Sequence, residues 1–283
     1  MRPIASAYLV IVAVVTAVAL LATTACNVAC PDAGSTGTRD DTFNVTGPAV
    51  LVVNTGNGKI EVNAGSDDEV RVQATLRGVD RIDYDVNQDG NTITVTAEID
   101  GGWFCNYGAD ITITTPTNTD VELDTSNGMI SVMGIEGTGT LRTSNGMVAL
   151  EDVKGDFDGS TSNGMVSVTD MEGTGFFRTS NGMTKLQGVT GEFDAETSNG
   201  LISFSGNLTA GGNNRLVSSN GNVVVELLGT PSVSLDASTS NGDVTCELPI
   251  MATTTSDEHL VGTIGDGEAD LYIRTSNGDV TVR

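Results

Sequence analysis

A four-residue motif, Thr-Ser-Asn-Gly or Ser-Ser-Asn-Gly, recurs at a nearly constant interval from Thr125 onward. Its asparagines are 18 residues apart from Asn127 to Asn199 and then 21 residues apart up to Asn241. A last interval of 36 residues leads to Asn277, and we interpret it as two repeats with one motif missing around His259. A period near 18 is too short for two helices with their turns, so the repeat predicts a stack of strands.

Each repeat holds two β-rich runs separated by turns that contain glycine. The second and fourth residues after the motif's glycine are mostly Val, Ile, Leu or Phe, whereas the third is Ser, Ala, Lys or Thr. This alternation is typical of a strand with one buried face. The sequence therefore predicts an all-β fold: a single-stranded, parallel, right-handed β-helix or β-solenoid with rungs of about 18 residues and about nine rungs after Thr125.

Two apolar positions in the second strand of each repeat vary in a compensated way. Gly139 precedes Leu141, whereas Phe157 precedes Gly159, and the next two repeats continue this alternation of large and small residues. Each rung then has one large side chain in this part of the core. We expect stacked rungs to interdigitate, as a narrow core at close-packed density requires.

Stacking at about 4.8 Å places the motif's asparagines above one another, where each amide can donate to one neighbour and accept from the other. Asparagine and glycine also tolerate the left-handed backbone of a tight corner, which we take as the reason for the repeated pair. Glycan or metal binding by this row is the less favoured alternative. The predicted structural ladder comprises Asn127, Asn145, Asn163, Asn181, Asn199, Asn220 and Asn241.

A second column follows the motif directly and is rich in methionine. Corner packing is the favoured interpretation, and an exposed binding stripe or a site for a soft metal are the alternatives. The sequence leaves open whether this column faces in or out. Its members are Met129, Met147, Met165 and Met183, continued by Leu201.

The N-terminus has the pattern of an export signal. A basic residue is followed by an apolar stretch from Ile4 to Ala22 and by small residues before Cys26. This pattern resembles a bacterial lipoprotein signal, in which Cys26 is acylated, although Thr23 stands where that pattern usually has Leu. Ordinary cleavage before the cysteine, or retention as a membrane anchor, stays open. We expect a protein of the cell envelope, periplasmic or on the cell surface.

The predicted organisation is a signal peptide at residues 1–25, a polar tether at 26–42 and one β-solenoid at 43–283. Within the solenoid, N-terminal strands cover 43–120 and regular rungs cover 121–283.

Export implies a disulfide-permissive compartment. Cys246 falls in the apolar column that elsewhere holds Val or Leu, so we expect it to be buried, which leaves Cys30 with Cys105 as a plausible bridge. There is no Cys-x-x-Cys pair, and the lone His259 provides no zinc constellation, so no metal or cofactor is predicted.

The net charge is −24, from 13 basic and 37 acidic residues, and it disfavours partners that carry phosphate, such as nucleic acids. A lyase would need a strong base, for which Arg142 and Arg178 are the candidates. A glycosidase would need paired carboxylates, for which the nearest pairs are Asp156 with Asp158 and Glu192 with Asp194. The sequence has no long irregular loop to build a cleft around any of them. We therefore predict a non-catalytic protein.

Three stretches resemble the bacterial "putative adhesin" domain family, a β-strand-repeat domain of unknown function. They are FNVTGPAVLVVNTGNGKIEV at 43–62, ADITITTPTNTDVELDTSNGMISV at 109–132 and GDGEADLYIRTSNGDVTVR at 265–283. The resemblance implies a β-helix or roll, export and no established chemistry.

The leading hypothesis is an adhesin-like structural or interaction module that binds an unknown surface protein or glycan, held at the membrane by its N-terminus. A carbohydrate-active enzyme and an envelope sensor are the alternatives. The chain ends on the strand DVTVR, whose edge we expect to be unpaired. That edge would permit end-to-end homo-oligomers.

Overall fold

A computed structural model of the protein describes residues 34–65, 68–101 and 105–283. The described strands form one 22-stranded sheet, and most of their neighbours along the stack run parallel. This confirms the predicted all-β solenoid. The N-terminal strands are β1 (Thr36–Asn44), β2 (Ala49–Asn57), β3 (Ile60–Ala64), β4 (Glu69–Arg77), β5 (Ile82–Asp89), β6 (Thr92–Ile99) and β7 (Gly108–Thr115).

The middle of the chain forms the regular part of the stack. Its strands are β8 (Thr119–Asn127), β9 (Ile130–Met133), β10 (Glu136–Thr143), β11 (Val148–Thr161), β12 (Val166–Thr179) and β13 (Thr184–Asn199). The C-terminal strands are β14 (Ile202–Leu208), β15 (Asn213–Asn220), β16 (Val223–Leu227), β17 (Val233–Ser238), β18 (Val244–Cys246), β19 (Met251–Thr255), β20 (His259–Ile264), β21 (Ala269–Arg274) and β22 (Val280–Val282).

Each rung contributes one segment to each of two walls. The front sheet is formed by the segments that precede the Ser-Asn-Gly corner, in the spatial order β5, β6, β2, β8, β10, β11, β12, β13, β15, β21, β17, β20 and β19. The back sheet is formed by the segments that follow the corner, in the order β1, β4, β7, β3, β9, β11, β12, β13, β14, β16, β22 and β18. The long strands β11 to β13 contribute to both walls.

The core lies between these walls. Phe193 of the front sheet and Phe204 of the back sheet have ring centroids 5.9 Å apart. The predicted compensation of large and small residues is present, since Gly139, Phe157 and Gly175 follow one another in register in the front sheet. A Cβ atom at Gly139 would lie 2.3 Å from the Phe157 ring, so the ring fills the space that the glycine leaves open.

The motif's glycine is needed because neighbouring rungs are stacked closely. A Cβ atom at Gly164 would lie 1.8 Å from the carbonyl oxygen of Gly146 in the next rung. The sequence suggested that the Asn-Gly pair recurs because the corner needs a left-handed backbone. This explanation is wrong for the central rungs. Among the described residues, positive φ occurs at Asp152 and Asp170 but at no other non-glycine residue, and Gly164 does not have it either.

The motif's threonine has a structural role that the sequence did not reveal. Thr161 is buried, and its hydroxyl donates to the carbonyl oxygen of Gly146 at 2.9 Å. Thr143, Thr179 and Thr197 repeat this contact in their own rungs. The hydroxyl thus satisfies a corner carbonyl that the strand ladder does not reach.

The order of the last rungs in space differs from their order in the sequence. The rung of β21 and β22 lies between the rung of β15 and β16 and the rung of β17 and β18. The C-terminal strand therefore has a neighbour on each side, and the predicted free edge at DVTVR is wrong. The interval of 36 residues before Asn277 contains the antiparallel pair β19 and β20 rather than a rung without its motif. Eight back-sheet segments follow Thr125, so nine rungs is one too many.

Cys246 lies in the apolar column as predicted, in register with Val282. It is half-buried rather than buried, because β18 is the last strand of the back sheet and no other described strand pairs with its outer side. Its thiol is free. Partial burial raises the pKa of the Cys246 thiol above its ordinary value, despite a contact with the Leu248 carbonyl oxygen at 3.6 Å.

Candidate functional site

The corner asparagines are joined by side-chain hydrogen bonds. The Nδ2 atom of Asn145 donates to Oδ1 of Asn127 at 2.8 Å, and the same bond recurs from rung to rung at 2.8 to 3.1 Å. The structure brings all seven asparagines of the predicted ladder together and adds Asn57 and Asn277. Asn277 lies between Asn220 and Asn241 because its rung is inserted there. These amides contact their own copies, which leaves them poorly suited to hold a ligand.

The methionine column is neither fully inside nor fully outside. Met129, Met147, Met165 and Met183 are all partly exposed at the corner. Their backbone carbonyls accept hydrogen bonds from the first back-sheet residue of a neighbouring rung, as in the 2.9 Å bond from Ile130 N to Met147 O. These bonds join the corner backbone of one rung to the next, while the thioether side chains lie partly in solvent.

The outward side of the front sheet differs from these repeating columns because its residues change from rung to rung. One column of this face contains Val52, Glu122, Thr140, Asp158, Phe176, Asp194, Arg215, Tyr272 and Asp236. A second column contains Val50, Asp120, Thr138, Asp156, Thr174, Glu192, Asn213, Asp270 and Ser234. Four of the nine residues in each column are acidic, and the one basic residue in the two columns is Arg215.

Phe176 stands out on this face. Its side chain is 42% exposed, whereas its neighbour Phe177 is fully buried. Two consecutive phenylalanines in one strand must point to opposite faces. That pair in the sequence is the signal that identifies Phe176 as an outward-facing residue.

Phe176 forms the shared wall of two open grooves. The first groove has a volume of about 380 Å³ and extends toward β2, where the half-buried Val50 and Val52 line it. We call it the acidic groove, because its charged lining consists of Asp120, Glu122, Asp156 and Asp158. The second groove has a volume of about 400 Å³ and extends from Phe176 to Tyr272. We call it the paired groove, and its charged lining consists of Glu192, Asp194, Arg215 and Asp270.

The carboxylates of the acidic groove have no counter-ion. Asp120 accepts hydrogen bonds of 2.7 Å from the backbone N–H and the hydroxyl of Thr138. Glu122, Asp156 and Asp158 have no hydrogen bond or ion pair with any residue that the structure describes. No basic residue lines this groove. Its negative charge is therefore available to a partner.

The paired groove is partly neutralised from within the protein, because one of its three carboxylates, that of Asp194, pairs with Arg215. Arg215 contacts Asp194 at 3.3 Å and forms a short ion pair with Glu196, which also lies 3.4 Å from Arg178. Burial disfavours ionisation of Glu196, but the hydrogen bond and charge of Arg215, with a smaller contribution from Arg178, lower the pKa of its carboxyl below the ordinary value. This carboxylate is held in its ionised form.

The candidate catalytic residues do not converge on one centre. Arg142 and Arg178 lie in one outward column, separated by Ser160 as the sequence predicted. The pair Asp156 and Asp158 lines the acidic groove, whereas Glu192 and Asp194 line the paired groove beyond Phe176. Both pairs lie on an open sheet face and not in an enclosed cleft.

The remaining predicted sites concern the N-terminus and metals. Cys26 and Cys30 lie outside the described residues, and Cys105 is disulfide-bonded. In the described ranges, no group of three or more His, Cys, Asp or Glu side chains is arranged to hold a metal ion. Across those same ranges, we find no helix with the length and apolar character needed to cross a membrane.

Residues 49–283 match the sequence model of the protein family described as Toastrack DUF4097. The chain belongs to this family. Membership in the Toastrack DUF4097 family confirms the predicted resemblance to a β-strand-repeat domain of unknown function, and it includes every rung described above. No curated protein matches the sequence.

Several solved structures are similar to this Toastrack protein. A "putative adhesin" from Bacteroides fragilis is 14% identical, with 89% of this chain and 99% of that chain covered and a TM-score of 0.46. A "putative cell adhesion protein" from Clostridium sporogenes is 11% identical, with 87% and 99% covered and a TM-score of 0.26. A "putative lipid binding protein" from Parabacteroides distasonis is 12% identical, with 88% and 98% covered and a TM-score of 0.32.

Proposed function

We propose that the protein is a non-catalytic, adhesin-like interaction module of the cell envelope, which binds its partner through the outward face of the front sheet. The observation that carries this proposal is the exposed Phe176 between the two grooves. Its column neighbours in the rungs before it are the polar Asp158 and Thr140, so a solvated face does not require an aromatic side chain there. A large exposed apolar residue with a polar rim is typical of a binding surface.

The other surfaces are less suited to this role. The corner amides bind one another, and the methionine side chains beside them are only partly exposed. The outward face of the back sheet carries mainly small residues in the central rungs, such as Ser131, Ala149 and Ser167, and its exposed apolar side chain is Met133. Among the described residues, the outward front face combines an exposed aromatic ring with half-buried apolar and charged groups.

Two features favour binding over catalysis. The paired carboxylates lie on an open face, where bulk water would screen the charges that a glycosidase must control. The lowered pKa of Glu196 suits an ion pair and not a general acid. Arg178, one of the candidate bases, is engaged with that same carboxylate.

Location at the envelope rests on the signal-like segment at residues 1–25 and on Cys26. We expect mass spectrometry of the mature N-terminus to find a diacylglyceryl group on Cys26. An unmodified N-terminus that starts at this cysteine would contradict lipid anchoring. The proposed binding face is tested by a different experiment.

The binding face is tested by photo-crosslinking in the producing cell. A crosslinking amino acid at Thr140 lies on the front face, and the same residue at Ser167 provides a matched position on the back face. We expect adducts from position 140 and none from position 167. Equal adducts from both positions, or adducts only from position 167, would contradict the proposal.

The enzyme alternative is tested separately. Purified protein is incubated with bacterial and host polysaccharides, and the release of reducing ends or unsaturated products is measured. We expect no turnover. Turnover that is abolished by Arg142→Ala or Arg178→Ala would replace the proposed function with a carbohydrate-active one.

A further inference from the structure

The acidic groove has the properties of a docking site for a cationic chain. Its floor at one end is apolar, from Val50 and Val52, and Phe176 closes the other end. Between them lie carboxylates without a counter-ion, in contrast to the paired groove, where Arg215 neutralises Asp194. Because the lining contains no base, a positively charged partner would supply the missing charge.

The carboxylates of the acidic groove occupy two rungs, with one neutral rung between them. Glu122 of β8 and Asp158 of β11 flank Thr140 of β10 in one column, and Asp120 and Asp156 occupy the adjacent column of the same strands. Neighbouring strands are about 4.8 Å apart, so the two acidic rungs are separated by about 9.6 Å. A neutral threonine rung lies between them.

This spacing matches one form of extended polypeptide. A polyproline II helix has three residues per turn and rises about 3.1 Å per residue, so every third side chain recurs on one face about 9.3 Å apart. In an α-helix or a strand, side chains on one face do not recur at this distance within three residues. A polyproline II chain that lies along the solenoid axis would present one basic side chain to each acidic rung.

We infer that the acidic groove binds a basic segment of a partner protein in the polyproline II conformation, with Lys or Arg at every third position. The Phe176 ring, one rung beyond Asp158, contacts the residues between two successive basic positions of that segment. This inference rests on the proposed function and adds the chemistry of the partner.

The test is fluorescence anisotropy with purified protein and a labelled proline-rich peptide that carries lysine at every third position. We expect binding that weakens as salt is added. The double variant Asp156→Asn/Asp158→Asn should bind about tenfold more weakly, and Phe176→Ala severalfold more weakly. The control Glu151→Gln/Glu226→Gln removes the same charge from the outward side of the back sheet and should change affinity less than about twofold.

Three outcomes would overturn the inference. The first is no binding of the lysine peptide by the wild-type protein. The second is equal affinity for a peptide of the same composition with lysine at alternate positions. The third is an equal loss of affinity in the control variant, which would show an effect of net charge alone. In each case the crosslinking result at Thr140 still decides the proposed function, so the two failures are distinguishable. A circular dichroism spectrum verifies that each variant is folded.

Discussion

Phe157 and Phe176 lie in adjacent strands on opposite faces of the front sheet, and they behave differently. Phe157 is 1% exposed and its ring fills the space beside Gly139, whereas Phe176 is 42% exposed and borders two grooves. Inward positions repeat or compensate because each side chain contacts its own counterpart in the next rung. Outward positions have no such constraint. The difference shows that the repeat specifies the scaffold, whereas departures from the repeat on the outward face mark the candidate site.

The largest effect is expected from truncating these two residues in turn. Phe157→Ala removes a buried ring and should lower the free energy of unfolding by about 3–5 kcal/mol. Phe176→Ala should lower it by less than about 0.5 kcal/mol, because its side chain is largely solvated. Urea unfolding followed by circular dichroism measures both. Similar losses in the two variants would invalidate the comparison between the faces.

A smaller effect is expected at the corner. Gly164→Ala places a methyl group against the carbonyl of Gly146 in the next rung and should cost about 1–3 kcal/mol. Gly34→Ala is the matched control, because a Cβ atom there meets nothing within 4 Å. The shift of the urea midpoint is the readout. An unchanged midpoint for Gly164→Ala would mean that close stacking does not explain the motif's glycine.

The smallest effect concerns charge pairing, which differs between the acidic groove and the ion pairs of Glu196 with Arg215 and Arg178. Because the pKa of Glu196 is lowered in the folded state, its ionised form stabilises the protein above the ordinary carboxyl pKa of 4.5, and this contribution is lost as the pH falls through the lowered value. Glu196→Gln should therefore be less stable by about 0.5 kcal/mol at pH 7, with screening by solvent considered. The difference should vanish in acid.

Glu122→Gln in the acidic groove is the control, since this carboxylate has no partner among the described residues. We expect no loss of stability at pH 7 from this change. Thermal unfolding across a pH series measures both variants. A loss for Glu122→Gln as large as that for Glu196→Gln would show that the two carboxylates do not differ in charge pairing.

Much of the scaffold was predictable because strands stacked in register place each residue beside its own copy. The asparagine row and the alternation around Gly139 and Phe157 followed from the alignment of repeats alone. The reason for the glycine did not follow, since φ and the distance to Gly146 O depend on how closely two rungs approach. Phe176 was missed although its position beside Phe177 requires it to point outward.

The sequence by itself determined the fold class, the rung length and the inward columns, because a period of 18 residues and an alternation of two leave one way to bury the apolar side chains. Only the tertiary structure decided which rungs are neighbours at the C-terminal end, where β22 lies between β16 and β18. The edges of similar rungs are chemically alike, and pairing between them is non-local. The acidic groove depends on the same kind of pairing, since Val52 and Glu122 are adjacent in space but 70 residues apart in the chain.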